Sequence, residues 1–444
     1  MLEVLSNRTY RNLFLAQMVA LVGTGLATVA LGLLAYELAG KNAGAVLGTA
    51  LAIKMVAYVL IAPLAGAYAN RVSRRALLVA LDIGRLAVVL LLPWVTQIWQ
   101  IYVLIFVLQS CSAAFTPTFQ ATIPEVLPDE ADYTRALSLS RLAYDLENLL
   151  SPALAAALLA VITYQGLFFG TAIGFIGSAL LVVSVALPHA KVDQATTSIR
   201  RKLTSGLRIY LATPRLRGLL ALTLAAAAGS AMVIVNTVVI VRDALARPNS
   251  AVAIALACFG AGSMLMAFVL PRLLKRYSDR SVMLSAGAGL TFALIGLAVV
   301  WPMLAVAARW PALLADWFLL GLAYSALVTP GGLLLRRSST EADRPALFAA
   351  QFSLSHACWL LAYPIVGWLG AKAGIPAALW AMAALAVVGV AIASRVWPRS
   401  DTGPMAHLHD DLAADHPHLL EHANTGLHAH PIVIDDLHTR WPAR

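Results

Sequence analysis

Charge is what this 444-residue chain has least of: 12% of its residues are Asp, Glu, Lys or Arg, against 60% hydrophobic ones. A soluble protein carries roughly twice that charged fraction, so an ordinary water-exposed architecture is excluded. Cysteine is nearly absent too. Cys111, Cys258 and Cys358 each stand alone inside an apolar run, which suggests neither a disulfide framework nor a thiolate zinc site. There is no glycine-rich phosphate loop and no grouping of nucleophile with base, so neither an enzyme nor a cofactor is expected. Basic residues form no stripe with interleaved aromatics, so no nucleic-acid partner is expected. The first apolar run begins near Asn12 without a small-residue cleavage site; it is too long for a signal-peptide core and should be retained as an anchor.

What the chain does have is apolar length, with a mean hydropathy of +0.79. A hydrocarbon core of ~30 Å needs about 20 apolar residues in a helix, because a helix satisfies its own backbone in lipid. Twelve windows meet this, near 12–38, 44–69, 76–96, 100–122, 135–162, 164–187, 216–241, 250–271, 281–304, 311–335, 345–370 and 375–397. The expectation is an all-α membrane protein of twelve transmembrane helices in two six-helix halves. The gaps alternate in charge. Arg71, Arg74 and Arg75, then Lys191 to Arg217, then Arg272 to Arg280, then Arg336, Arg337 and Arg344 crowd one set of turns, while the other set holds Lys41, Arg242, Arg247, Arg309 and Lys372. Lys and Arg stay in the cytoplasm, which puts both termini there and the protein in a bacterial inner membrane. The chain then divides into a first half (1–187), a linker with an amphipathic helix along the cytoplasmic membrane surface (188–215), a second half (216–397) and a tail (398–444). An arginine-rich turn after the second helix of each half, within Gly66–Leu78 and Pro271–Leu284, suggests a duplicated unit.

Gly66-Ala-Tyr-Ala-Asn70-Arg71-Val-Ser73-Arg74-Arg75 resembles the loop between helices 2 and 3 of the major facilitator superfamily, where a Gly, an Asp-Arg pair and a basic pair recur at these offsets. The resemblance covers the whole twelve-helix layout and implies a transporter. Asn70 stands where that family usually has Asp, and Ser73 where it often has Gly, so the carboxylate-dependent lock implied by the family is not reproduced here. Ser151-Pro152 looks like a reduced form of the family's antiporter motif. Leu137-Ser-Leu-Ser-Arg141-Leu-Ala-Tyr144-Asp145-Leu-Glu147, with the histidine-rich tail, is similar to members of the superfamily that export nickel.

Ionisable residues at hydrocarbon depth cost about 2.5–3.5 kcal/mol each on insertion scales, so each needs a partner, a wet cavity or a task. Lys54, Asp145, Glu147 and His356 all fall near mid-bilayer by residue count; with Gln109 they are the expected substrate and proton residues. Arg141 and Asp145 are four residues apart and read as a structural pair, leaving Glu147 as the freer protonatable group. Lys54 either snorkels or meets Glu147 or Asp145. Asp82 and Arg85, at i and i+3, read as support for the neighbouring loop with Gly66, Asn70, Arg71, Arg74 and Arg75. His356 is a proton carrier, a metal ligand or a hydrogen-bonded structural histidine, and Cys358 is on another face of the same helix.

Eight of the ten histidines lie in the tail: His407, His409, His416, His418, His422, His428, His430 and His438, among seven carboxylates. Imidazole with carboxylate suits first-row divalent cations, and the irregular spacing suggests labile binding by a disordered segment. The alternative is a pH-responsive or solubilising tail. Pro431 to Trp441 is less random and reads as a short docking element. Two cargoes follow: a divalent cation such as nickel or cobalt exchanged for protons, or an organic drug or siderophore. A membrane enzyme or sensor is the third reading. The chain is expected to work as a monomer, with lipid, protons and a small cation or organic solute as its partners.

Overall fold

The computed structural model describes residues 2–68, 73–129, 132–133, 135–136, 139–140, 151, 153–185, 187, 199–340, 343–399, 405–408, 427–430, 432–434, 438 and 441. Its helices are α1 (Arg8–Ala39), α2 (Ala43–Tyr68), α3 (Arg74–Leu91), α4 (Ile98–Val126), α5 (described over 153–158), α6 (Tyr164–Val183), α7 (Ile199–Ala212), α8 (Pro214–Val239), α9 (Asn249–Arg276), α10 (Asp279–Val300), α11 (Val306–Val328), α12 (Gly331–Arg337), α13 (Arg344–Ala373) and α14 (Ile375–Val396). Among the described residues, ten stretches are long and apolar enough to cross a bilayer; the first, Arg8–Ile61, takes in α1 and most of α2. The fifth expected crossing, 135–162, is described only in part, with 137–138, 141–150 and 152 outside the described residues, as are Asn70 and Arg71 as well as Arg141, Asp145 and Glu147. The tenth crossing, Val306–Arg337, covers its expected window and is broken inside it: α11 stops before Thr329-Pro330 and α12 resumes at Gly331, since proline offers no N–H to continue the ladder.

Packing repeats between the halves. Helix α1 lies on α6 as α8 lies on α14, α2 on α4 as α9 on α11, and α3 on α4 and α6 as α10 on α11 and α14. The recurring arginine turn has a structural meaning. Ser73 caps α3 through the Ala76 amide (3.5 Å), and Ser278 caps α10 through the Ser281 amide (3.3 Å). Two residues on, Arg75 donates to the Val183 carbonyl at the end of α6, while Arg280 donates to the Ser394 and Trp397 carbonyls (3.0 and 2.8 Å) at the end of α14. Those last-turn carbonyls lack intrahelical donors, so each half is stapled by the same device.

The halves meet along α2 and α13, which run antiparallel. At one end the seam is glycine-lined: a Cβ on Gly48 would stand 3.2 Å from the Gly367 Cα, and Asn236 Nδ2 donates to the Val366 carbonyl (3.3 Å). From Gly44 to Tyr58 the seam runs about 21 Å along α2. Four of the five basic residues expected on the sparsely charged face lie over rings: Arg242 on Tyr36 (5.6 Å), Arg247 on Trp310 (4.4 Å), Arg309 on Trp301 (5.5 Å) and Lys372 on Trp368 (4.8 Å). Such pairs suit the headgroup level, where stems stay apolar and charged ends stay wet.

Helix α7, in the linker, packs on α13, with Gly206 against the Ala346 backbone and the Tyr210 hydroxyl donating to Gln351 Oε1. Burial pushes the Tyr210 phenol well above the ordinary tyrosine range, so it remains the donor in that bond. Most of the tail, expected to be disordered, lies outside the described residues. Strands β1 (Met405–Leu408) and β2 (Leu427–His430) pair antiparallel with His407 opposite His428. Beyond them Ile432, Ile434 and His438 are buried, Ile434 within the main core cluster. The Trp441 ring lies 5.6 Å from the Arg215 guanidinium, which also donates to Ser338 Oγ (2.7 Å) and the Arg337 carbonyl (2.8 Å). Ile432 and Ile434, two positions apart, are both buried, and that burial favours holding the segment in place.

Candidate functional site

Lys54 stands eleven residues into α2, about 16 Å along a helix that is otherwise apolar at this level. Its Nζ lies 5.8 Å from the Tyr58 ring, one turn on. The Tyr58 ring in turn stacks on His356 of α13, at 5.3 Å and 9°, and Phe352 closes the stack at 5.9 Å from Tyr58 and 4.0 Å from His356. His356 Nδ1 is 2.6 Å from the Phe352 carbonyl. A carbonyl only accepts, so Nδ1 carries the proton and Nε2 is the basic nitrogen. Lys54 lies within electrostatic range of the imidazole. An ammonium, a phenol and an imidazole are thus gathered at one depth from both halves.

Beside this stack a small cavity lies inside the first half. Leu31, Leu47, Leu51, Ile105 and Phe175 make its walls apolar, while Lys54, Gln109, Ser112, Thr24 and Thr28 bring polar groups. The Thr24, Thr28 and Ser112 hydroxyls donate back to carbonyls of their own helices (2.9, 3.0 and 3.0 Å), which leaves oxygen lone pairs as acceptors. Gln109 is buried, at 8% exposure.

Asp82 and Arg85 form a buried pair as the spacing predicts, but their described partners are not in the loop. Ser178 of α6 donates to Asp82 Oδ2 (2.8 Å), and the Arg85 guanidinium lies over Phe115 of α4 (4.1 Å) and Phe175 of α6 (4.6 Å). Asp82 sits about 12 Å into α3, where α4 and α6 are its described neighbours; residues 69–72 of the loop lie outside the described residues. In the expected gate loop, Gly66 ends within α2, Arg74 is buried and Arg75 makes the staple described above. Ser151 is buried with its hydroxyl lacking a partner among the described residues. Cys358 Sγ is directed to the Leu354 carbonyl (3.5 Å) and the Leu220 carbonyl (4.0 Å), away from the His356 stack. Among the described residues, no group of three or more His, Cys, Asp or Glu side chains could hold a metal. His407, His428 and His430 lie on the paired strands, His438 is buried, and His409, His416, His418 and His422 fall outside the described residues.

One residue escaped the sequence reading. Asp316, in the middle of α11, is buried at 8% exposure, and its Oδ2 has no hydrogen-bond partner among the described residues. The available signal was its isolation: no other Asp or Glu occurs between Asp279 and Glu341.

The profile of the Major Facilitator Superfamily matches residues 13–302 and again 219–420. An uncharacterized MFS-type transporter, YfiS of Bacillus subtilis (strain 168), is 27% identical over 254 residues, which is 54% of this chain and 57% of that protein. The chain therefore spans little more than half the length of that curated relative. Among solved structures, a bacterial homolog of the human lysosomal transporter Spinster, inward-facing and unoccupied, superposes with a TM-score of 0.68 at 12% identity, over 89% of this chain and 99% of that one. The nucleoside transporter NupG gives 0.65 at 15% identity, over 87% and 98%. A D-xylose-proton symporter gives 0.63 at 12%, over 88% and 97%. These three likenesses concern the fold.

Proposed function

Because this chain belongs to the Major Facilitator Superfamily, we propose that it is a proton-coupled exporter of the bacterial inner membrane, with both termini cytoplasmic and the halves rocking about the α2/α13 seam. Of the two cargoes left open by the sequence, a small organic solute suits the described path better. The observation that carries this is the lining of the cavity beside Lys54: its walls are mostly apolar, with a few convergent polar groups and a single charge. Leu and Phe take the hydrocarbon part, the Lys54 ammonium takes an anionic or strongly accepting group, and the Gln109 amide orients it. A bare divalent cation would meet like charge at Lys54. Nickel or cobalt remains supported by the tail, where eight histidines gather and His407 stands opposite His428 in the ladder.

The test uses the full chain in proteoliposomes under an imposed pH gradient, with Ni²⁺ and a fluorescent amphiphilic organic anion as separate probes. The expected result is gradient-driven flux of the anion that falls at least tenfold in Lys54→Ala, a loss of about 1.4 kcal/mol or more in apparent stabilisation. Replacing the eight tail histidines by alanine leaves that flux intact. Ni²⁺ flux that disappears with those histidines would reverse the choice of cargo, and indifference of both probes to the gradient would remove the coupling.

A further inference from the structure

Asp316 sits ten residues into α11, about 15 Å from the helix start and so half-way through a hydrocarbon core. Its side of the helix is fixed by its neighbours. Leu327, eleven residues on and so on the same stripe, converges with Leu222 of α8 and Val390 of α14 on Gly287 of α10. The other side, at Phe318 and Leu322, meets α9 at Gly262. The Asp316 stripe therefore faces the interior of the second half.

The first half offers a direct contrast. There the buried carboxylate, Asp82, has Arg85 and Ser178 as partners. The charged and titratable groups around Asp316 are few. On α8, Arg215 is at the far end, held by Ser338 and the Arg337 carbonyl. Arg242 lies past the other end, over Tyr36. On α10, Asp279 and Arg280 are in the first turn and engaged with Arg337 and with the end of α14. On α14, Arg395 is in the last turn. On α9, Cys258 is at this level, but that helix packs on the other side of α11, and Arg272, Lys275 and Arg276 are at its far end. On α11 itself, Arg309 shares the stripe two turns away, where it donates to the Leu304 carbonyl (3.2 Å) over Trp301. Tyr324 lies two turns the other way against Phe259. None of these forms an ion pair with Asp316 among the described residues.

A carboxylate without a counter-charge or donors at this depth is stabilised by taking up a proton. We propose that Asp316 is a proton-binding site of the second half: the carboxyl is neutral in the conformation described, and it gives up its proton to water when the helices around α11 rearrange. Only an O–H bond is made and broken. Its neighbour ties this turn of α11 to the seam between the halves. Trp317 Nε1 donates to Thr237 Oγ1 (2.7 Å), and the adjacent Asn236 donates to Val366 of α13 (3.3 Å) beside Gly367. A change of charge at Asp316 thus falls next to a chain of hydrogen bonds that ends at the glycine-lined contact.

This inference rests on the proton-coupled reading above, and one arm of its test is independent of any solute. In lipid nanodiscs, the infrared difference between the full chain and Asp316→Asn should contain a protonated-carboxyl C=O band at pH 7, which Asp316→Glu restores. A carboxylate band in its place would overturn the proposal. The second arm is gradient-driven flux of the organic anion in proteoliposomes. Asp316→Asn should lower it at least tenfold and Asp316→Glu recover it in part; flux undiminished in Asp316→Asn would overturn the coupling role, even for a protonated carboxyl. If neither probe crosses with the wild-type chain, the transport reading has failed, while the infrared band still decides whether the proton is there.

Discussion

At the scale of single residues, a buried charge is tolerated here when its surroundings complete it. Arg85 illustrates this, held by Asp82 and covered on two sides by Phe115 and Phe175. Removing one partner strands the other in a medium that solvates it poorly, whereas removing both leaves an apolar contact. Asp82→Leu and Arg85→Leu should each destabilise the chain by about 3–5 kcal/mol. The double substitution should cost less than either single one. Thermal unfolding in detergent measures all three, and simple additivity would show that the pair is not coupled. The i, i+3 spacing made this pair legible in the sequence, but its partners were not, because Ser178 and Phe175 come from a helix some ninety residues away. Asp316 was illegible for a related reason: a lone carboxylate in an apolar run carries no sign of whether the fold will supply it a cation.

At the scale of elements, the apolar windows located the crossings because lipid leaves a spanning chain few alternatives to the helix. What the windows do not carry is a break inside a crossing, as at Thr329-Pro330, where α11 stops and α12 takes over. The repeat was visible as two arginine turns, and its packing meaning emerged only when Arg75 and Arg280 were found on the ends of α6 and α14. Contact between the halves depends on elements with little surface relief. On α2, Gly48 faces Gly367 and the Tyr363 carbonyl so closely that a side chain cannot be added without movement. Gly48→Val should therefore wedge α2 from α13, at a cost of about 1–3 kcal/mol to this conformation. A cysteine introduced at Thr49, which accepts from Trp368 Nε1 (3.2 Å), should then react several-fold faster with a membrane-impermeant maleimide. An unchanged rate would mean that the glycine contact does not close the seam.

At the scale of the whole molecule, the tail is joined to the second half by a few well-placed groups. The segment from Pro431 to Trp441 stood out in the sequence only as less random than the rest of the tail, and the groups beside Trp441 come from α8 and the residues after α12, which are over a hundred positions apart in the sequence. Trp441→Ala removes the ring from the Arg215 guanidinium and should weaken docking by about 1–2 kcal/mol. Amide exchange in residues 432–434 and around Ser338 should then accelerate five- to thirty-fold. Protection equal to that of the wild type would show that the isoleucines alone hold the tail.

The place of Trp441 has a practical bearing on every measurement suggested above. It stands three residues before Arg444 and touches the arginine that joins Ser338 to the start of α8. An affinity handle or fluorescent fusion placed within a few residues of Trp441 would pull on that joint, so preparations labelled far from it would report on the molecule with this contact undisturbed.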